Sequence, residues 1–303
     1  MYTKILAKIK PNEKEQLEVS KIVDEFLNKI NSKLINANAI VGGSFAKGTW
    51  LKAQHDIDVF VLFNTKENIS LRLEVVIKSI FKDYEKIHGS RDYFIVNFQG
   101  LSFELVPVLK IDKAENAENI TDVSPMHVAW VKKNIDQKLA DEIRMAKYFL
   151  KVNKFYGAET YIGGFSGYLT EILVIHYSGF LNFLKAASKW KSNHIIDIEQ
   201  NNTFSSEQNF PLIVIDPVQP NRNVAAALSE EKFHGFISLC NKFDGSLSYF
   251  KEKKINLNKY NLLLKLTPLD GSKDVAGTKM LKVFETIEQA LKFYGFELNS
   301  PPP

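Results

Sequence analysis

Soon after Pro11, apolar residues recur at helical spacing: Val19, Val23, Phe26 and Ile30 step by 4, 3 and 4, the period of one buried helix face. Asn12, followed three residues on by Glu15, has the form of a capping box, so this segment predicts an amphipathic helix running to about Leu34. The apolar run Ala37–Val41 breaks at Gly42-Gly43-Ser44, and Asp56–Phe63 (DIDVFVLF) predicts a buried strand. Residues 44–51 between them form a loop or a short helix. A helical pattern over 69–84 precedes two strand patterns, Tyr93–Phe98 and Leu101–Leu109, joined by Gln99-Gly100 as a hairpin. This first unit is mixed α/β with adjacent strands.

From about Ser124 the pattern turns helical. Ile135, Leu139, Ile143, Ala146 and Leu150 predict one long helix, and residues 166–184 a second. The polar stretch 193–211 has no clear period and reads as a loop before the apolar run 212–215, which Pro217 and Pro220 end. A helix is then expected from near Asn223 towards Asn241. Near the end, Leu262, Leu264 and Leu266 alternate as in a strand, and Leu281, Phe284, Ile287 and Leu291 predict a helix stopped by Gly295. The expected fold class is therefore α+β: an α/β head with a mixed sheet over 1–123, a helical central domain over 124–256 and a small α/β unit over 257–303.

Composition supports this division. At about 150 residues per domain, 303 residues make two or three units. A content of 45% hydrophobic and 24% charged residues excludes a largely disordered chain. No stretch approaches the roughly 20 consecutive apolar residues of a membrane span, and the N-terminus turns charged too early for a signal peptide. The single cysteine, Cys240, excludes an intrachain disulfide and a cysteine-rich zinc site. A cytoplasmic protein without membrane partners is expected.

Net charge is only +4, but its placement is uneven. Between positions 131 and 154, Lys132, Lys133, Lys138, Arg144, Lys147, Lys151 and Lys154 face only Asp136, Asp141 and Glu142. Such a cluster can follow a polyanion backbone, although solvated lysines on a helix face would look the same.

The chemistry concentrates in residues 42–63, GGSFAKGTWLKAQHDIDVFVLF. Asp56 and Asp58 stand two apart on the predicted strand, so both carboxylates leave the same face. Like charges among Ile57, Val59, Phe60 and Val61 are costly unless a cation neutralises them or water reaches them, and paired hard oxygens suit Mg²⁺. Upstream, Gly43-Ser44 offers close backbone approach, an N–H donor and a hydroxyl, and Lys47 adds charge one turn later, a set that suits a triphosphate. Glu104, flanked by Phe103 and Leu105, is the best third acid for a two-metal site.

This combination resembles the catalytic motif of the polymerase β-like nucleotidyltransferases, and in detail the archaeal-type (class I) CCA-adding enzymes, the tRNA nucleotidyltransferases. The similarity continues through Ser124-Pro125-Met126-His127, Phe149-Leu150-Lys151, Tyr156-Gly157-Ala158-Glu159, residues 164–171 (GFSGYLTE) and residues 216–225 (DPVQPNRNVA). It implies addition of CMP, CMP and AMP to the tRNA 3′ end from CTP and ATP, with pyrophosphate release. Asp56, Asp58 and Glu104 would hold two Mg²⁺ ions. Gly43, Ser44 and Lys47 would bind the triphosphate; His127, Lys147 and Tyr156 match positions contacting the sugar and phosphates. Arg222 matches the arginine that presents donors to the base, and Lys132, Lys133 and Lys151 are the candidate tRNA contacts. Without the resemblance, His127 and Arg222 read equally as helix caps, Lys147 as a solvated lysine and Tyr156 as a core tyrosine.

The family pattern is not matched throughout. Glu104 stands where the family usually has Asp, and the sequence ends at 303 where family members continue into a C-terminal region gripping the upper arm of tRNA. Pairing into a homodimer would be one way to recover that grip. The competing readings are an oligoadenylate or cyclic-dinucleotide synthase, with a similar motif, and a catalytically silent RNA-binding module.

Overall fold

The computed structural model describes residues 2–54, 56–204, 209–252, 265–268 and 273–296. A short helix, α1 (Thr3–Ile9), precedes α2 (Glu13–Asn31), whose N-terminus carries the expected reciprocal bonds: Asn12 Oδ1 accepts the Glu15 N–H, and Glu15 accepts the Asn12 N–H, both at 2.9 Å. Five strands follow: β1 (Ala37–Val41), β2 (Asp56–Phe63), β3 (Glu85–Ile87), β4 (Tyr93–Phe98) and β5 (Leu101–Leu109). They form one sheet in the order β1-β2-β5-β4-β3, antiparallel except for the parallel β2–β5 pair. The β4–β5 turn is the expected Gln99-Gly100, with φ of +47° and +80°, the left-handed pair a two-residue hairpin needs. A third helix, α3 (Gly43–Ala46), occupies the linker from β1 to β2, while α4 (Ile69–Ile80) stops at Phe81, whose extended backbone leads towards β3 instead of continuing the helix to 84.

Period-2 alternation settles which face of the sheet is which. Ile57, Val59, Val61 and Phe63 of β2 and Phe103 and Leu105 of β5 are buried against Val23, Phe26 and Ile30 of α2 and Ile69, Leu73 and Ile77 of α4. Phe26 stacks on Phe103 with centroids 3.8 Å apart. With these residues turned to the helices, Asp56, Asp58 and Glu104 are turned to the opposite face.

The helical part contains more breaks than periodicity alone suggests. The long helix expected from Ile135 is α6 (Gln137–Val152); a two-residue break separates it from α5 (Ser124–Asn134), which the apolar spacing does not announce. Ile135 is extended, and Asp136 caps α6 by accepting the Leu139 N–H at 2.7 Å. The helix expected over 166–184 divides into α7 (Gly167–His176) and α8 (Phe180–Ala187), because Ser178 and Gly179 take φ of +54° and +140°. Within the stretch read as a loop lies β6 (His194–Ile196), parallel to β7 (Leu212–Val214); three residues are too few to show a period. The next helix, α9 (Glu230–Lys242), starts at Ser229, not near Asn223. Asn223 instead accepts the Val214 and Ala225 N–H groups, both at 2.9 Å, a side-chain competition that holds the backbone in turns. The last described helix is α10 (Lys273–Phe293), with Gly295 just beyond it at φ +83°. Leu262 and Leu264, expected in a strand, lie outside the described residues.

The N-terminal residues join the helical core rather than the sheet. Ile5 and Ile9 of α1 pack with Phe149, Phe165, Phe180 and Phe236, and the Tyr2 ring meets Phe180 edge-on at 6.4 Å. Among the described residues, no helix is long and apolar enough to cross a membrane.

Phe26 is fully buried, so Phe26→Ala is expected to remove about 3–5 kcal/mol of head stability, read as a lower urea midpoint for unfolding of the sheet.

Candidate active site

The carboxylate edge is built by close backbone packing. Gly42 donates its N–H to the Asp58 carbonyl at 2.7 Å, and Gly43 turns at φ +54°. A Cβ at Gly43 would sit 1.5 Å from Asp58 Oδ2, so only glycine admits the Asp58 side chain. Ser44 follows on α3, and its carbonyl accepts the Thr49 N–H at 2.9 Å, closing the loop over Lys47. Burial pushes the Asp58 carboxyl above its usual range; nearby Lys47 works against this and the like charge of Asp56 adds to it. Glu104 is the register partner of Asp58 on β5, on the same face. Its field reaches Tyr93, whose hydroxyl is pushed up by burial and then by Glu104. Among the described residues, no three His, Cys, Asp or Glu side chains converge closely enough to hold a metal ion as they stand.

The lysines gather around a residue that sequence reasoning left without a role. Glu171 on α7 is fully buried; its Oε2 accepts from Lys47 Nζ at 2.5 Å and its Oε1 from Lys147 Nζ at 2.7 Å. Thr49 Oγ1 donates to Oε1 at 2.8 Å and accepts from Lys147 at 3.0 Å. Burial alone would raise the Glu171 carboxyl, but the charges and hydrogen bonds of Lys147 and Lys47 outweigh it and bring it to about 2. Lys147 is 2% exposed, which removes the reading of a solvated helix lysine. One turn earlier on α6, Arg144 donates to the carbonyls of Trp50 at 3.0 Å and Gly48 at 2.5 Å. Residues 47–50 of the head are thus fastened to α6 and α7.

Lys151, on the last turn of α6, lies 4.9 Å from the Tyr156 ring centre. Its pKa is lowered, by desolvation first and by the neighbouring charge of Lys147 next, with Asp56 acting against them. Tyr156 packs its hydroxyl against Gly167, where a Cβ would come within 2.8 Å of it. Burial, with Glu171 and Asp58 next, pushes that hydroxyl well above its usual value. Lys132 and Lys133 are exposed on the last turn of α5.

A second buried carboxylate gathers the remaining candidates. Asp216, with no exposed surface, lies 3.0 Å from His127 Nε2 and accepts from Arg222 Nη1 at 2.8 Å and from the Tyr168 hydroxyl at 3.2 Å. Burial raises its carboxyl, but His127, the Val218 N–H and Arg222 bring it to about 2. Both organising acids stood in the sequence blocks already quoted. Glu171 had a signal of its own, a lone charge between Thr170 and Ile172-Leu173-Val174 in a helix buried on nearly every side.

Two expectations follow from this geometry. Glu171→Gln leaves two lysines without their counter-charge and is expected to cost about 3–5 kcal/mol, measured by denaturant unfolding. In the parent, the contribution is complete above the ordinary carboxyl value of 4.5 and is lost as pH falls through it towards about 2; in the variant that acid-side loss is absent.

Comparisons with known proteins match both the sheet-bearing part and the helical part of the chain. Residues 19–127 match the nucleotidyltransferase domain, and residues 141–251 match the second domain of tRNA nucleotidyltransferase. The CCA-adding enzyme of Nanoarchaeum equitans is 39% identical, over 94% of this chain and 75% of its own length. That of Saccharolobus islandicus is 36% identical, over 97% and 72%. Among solved structures, a cytoplasmic RNA terminal U-transferase superposes with a TM-score of 0.63 at 15% identity, covering 83% of this chain and 97% of that one. CdnC of E. coli MS115-1, with ATP, gives 0.57 at 17%, covering 80% and 92%. At such identities these two show a shared fold only. The long relatives carry more: with over a third of its aligned residues in common along nearly its whole length, the chain belongs to the CCA-adding enzyme family and is a nucleotidyltransferase that carries out CCA addition.

Proposed function

We propose that CCA addition by this chain takes CTP and ATP as substrates and tRNA as acceptor, with two Mg²⁺ ions held by Asp56, Asp58 and Glu104. The observation that carries this reading is the shared sheet face of the carboxylates, Asp56 and Asp58 two apart on β2 with Glu104 in register on β5, beside a loop carrying Lys47. The donor set fits a hard divalent cation. Three carboxylates leave one sheet face, two of them on one strand and the third in register on its neighbour, one strand spacing of about 4.8 Å away. Glu104 has one methylene more than the family's usual Asp, and its carboxylate has to reach towards Asp58 to complete the set. Such ions, when bound, neutralise phosphate charge and favour ionisation of an attacking hydroxyl.

The chain's own residues account for the rest. Lys47 and Lys147 together carry two positive charges against the one of Glu171, which leaves a net positive charge, fixed in place, for a triphosphate. The Ser44 hydroxyl and the Gly43 backbone flank the same loop and suit a phosphate oxygen. Lys151 adds a cation at the edge nearest Asp56, and Tyr156 supplies a ring against which it rests. His127 and Arg222, joined through Asp216, suit the sugar and base. In this reading, residues 1–123 supply the chemistry, 124–256 hold the nucleotide, and 257–303 together with Lys132 and Lys133 contribute to tRNA contact.

The direct test is stepwise extension of tRNA, tRNA-C and tRNA-CC with labelled CTP or ATP. CMP is expected on the first two and AMP on the third, and Asp58→Ala or Glu104→Ala is expected to lower each rate by at least about 100-fold. An unchanged rate would remove the residue from the metal site. For tRNA contact, neutralising Lys132, Lys133 and Lys151 together is expected to reduce the slope of log affinity against log salt by about 2 to 3; the same slope with and without the lysines would remove them from the interface.

A further inference from the structure

We infer that Asp216 is a positioning residue for nucleotide choice, acting by fixing the direction of the Arg222 guanidinium; this rests on the proposal that Arg222 faces the base. The two carboxylate oxygens have separate tasks. Oδ1 accepts from the Val218 N–H at 2.9 Å, the Gln219 N–H at 3.3 Å and the Tyr168 hydroxyl at 3.2 Å, so it holds the turn that leads to Arg222. Oδ2 accepts from Arg222 Nη1 at 2.8 Å, so it holds the guanidinium, and His127 Nε2 lies 3.0 Å away without forming a hydrogen bond. The backbone closes the same loop: the Asp216 N–H donates to the Arg222 carbonyl at 3.0 Å, and the Arg222 N–H to the Gln219 carbonyl at 2.9 Å.

The exposure of the pair is asymmetric in a way that suits this role. The Asp216 side chain is fully buried while that of Arg222 is 34% exposed. A carboxylate out of contact with water cannot itself touch a substrate, but it occupies one edge of the guanidinium and leaves the other N–H groups to point outward. A guanidinium only donates. Cytosine N3 and adenine N1 are acceptors at the centre of the pairing edge, whereas uracil N3–H and guanine N1–H are donors there. One arginine held in a fixed direction therefore accepts C and A and opposes U and G, and an arginine free to swing loses part of that opposition.

Asp216→Asn separates the two tasks. The amide oxygen can keep the Oδ1 bonds that shape the turn, which puts the NH₂ against Arg222, donor facing donor. We expect the ratio of kcat/KM for CTP over UTP, measured by single-nucleotide incorporation into tRNA lacking CCA, to fall by about tenfold or more. The fall is expected mainly in a higher KM for CTP, measured below the variant's thermal midpoint, which is expected to drop because a buried counter-charge is lost. In an Arg222→Ala background the same substitution is expected to change the ratio by less than about twofold, because the partner it acts through is gone. Tyr168→Phe, which removes one donor to Oδ1 and leaves the turn's backbone bonds, is expected to lower the ratio about two- to fivefold and keeps the inference testable if the Asn variant does not fold.

A normal ratio in Asp216→Asn or, should that variant not fold, in Tyr168→Phe, while Arg222→Ala lowers it, would overturn the role of Asp216 and leave Arg222 as the selector. An equal fall with and without Arg222 would overturn it too, by showing that Asp216 acts through something else. A normal ratio in Arg222→Ala would overturn both the base-facing assignment of Arg222 and the inference built on it.

Discussion

The ionised carboxylate of Glu171, buried completely and shared between Lys47 and Lys147, is the constraint on which the site depends. Desolvating three charges is expensive, and such clusters add little to net stability compared with an apolar core. What this one does is fix position. Lys47 comes from the loop after α3, Lys147 from α6 and Glu171 from α7, so the cluster brings a head residue and two helical-domain residues to one point beside Asp58. Arg144 strengthens the same junction through the carbonyls of Gly48 and Trp50. The lysines are thereby held in fixed positions, which, if they bind phosphate as proposed, limits the side-chain entropy lost on binding.

The same device recurs at two other junctions. Asp122, 1% exposed, accepts the N–H groups of Leu109 at 2.7 Å, Glu118 at 3.2 Å and Asn119 at 3.0 Å, and pairs with Arg91. It ties the end of β5 to the entry of α5, and so sets how the carboxylate strand passes into the helical domain. Asp216 gathers α5, α7 and the loop after β7. Each of these acids is buried, satisfied by several donors and located where elements from different parts of the chain meet. Satisfied polar groups of this kind specify one arrangement over its near alternatives, since any shift leaves a buried charge unpaired.

The sheet contributes a separate constraint. Because β2 must bury Ile57, Val59, Val61 and Phe63, Asp56 and Asp58 have no choice of face. Gly43 then has to lack a side chain for Asp58 to fit at all. Sequence reasoning reached the α2 cap, the hairpin at Gln99-Gly100 and the DxD strand because each is a local pattern with a local cause. It left α5 unread and began α6 two residues early, and it joined α7 to α8 because apolar spacing carries through a short break, while the start of α6 is set by Asp136 capping and the α7–α8 break by the left-handed pair at Ser178 and Gly179. It moved the start of α9 too early because nothing in the residues 223–228 announces that Asn223 bonds to β7.

Taken by itself, the sequence determined the mixed head, the facing of its carboxylates and the catalytic family, since these rest on short-range periodicity and on motifs contiguous in the chain. The tertiary structure alone decided that Lys47 and Lys147, 100 residues apart, share Glu171, that α1 packs into the helical core, and that Arg222 is held by Asp216. The physical reason is the same in each case: the energy of a buried charge depends on which donors surround it, and those donors come from segments whose proximity no local pattern encodes.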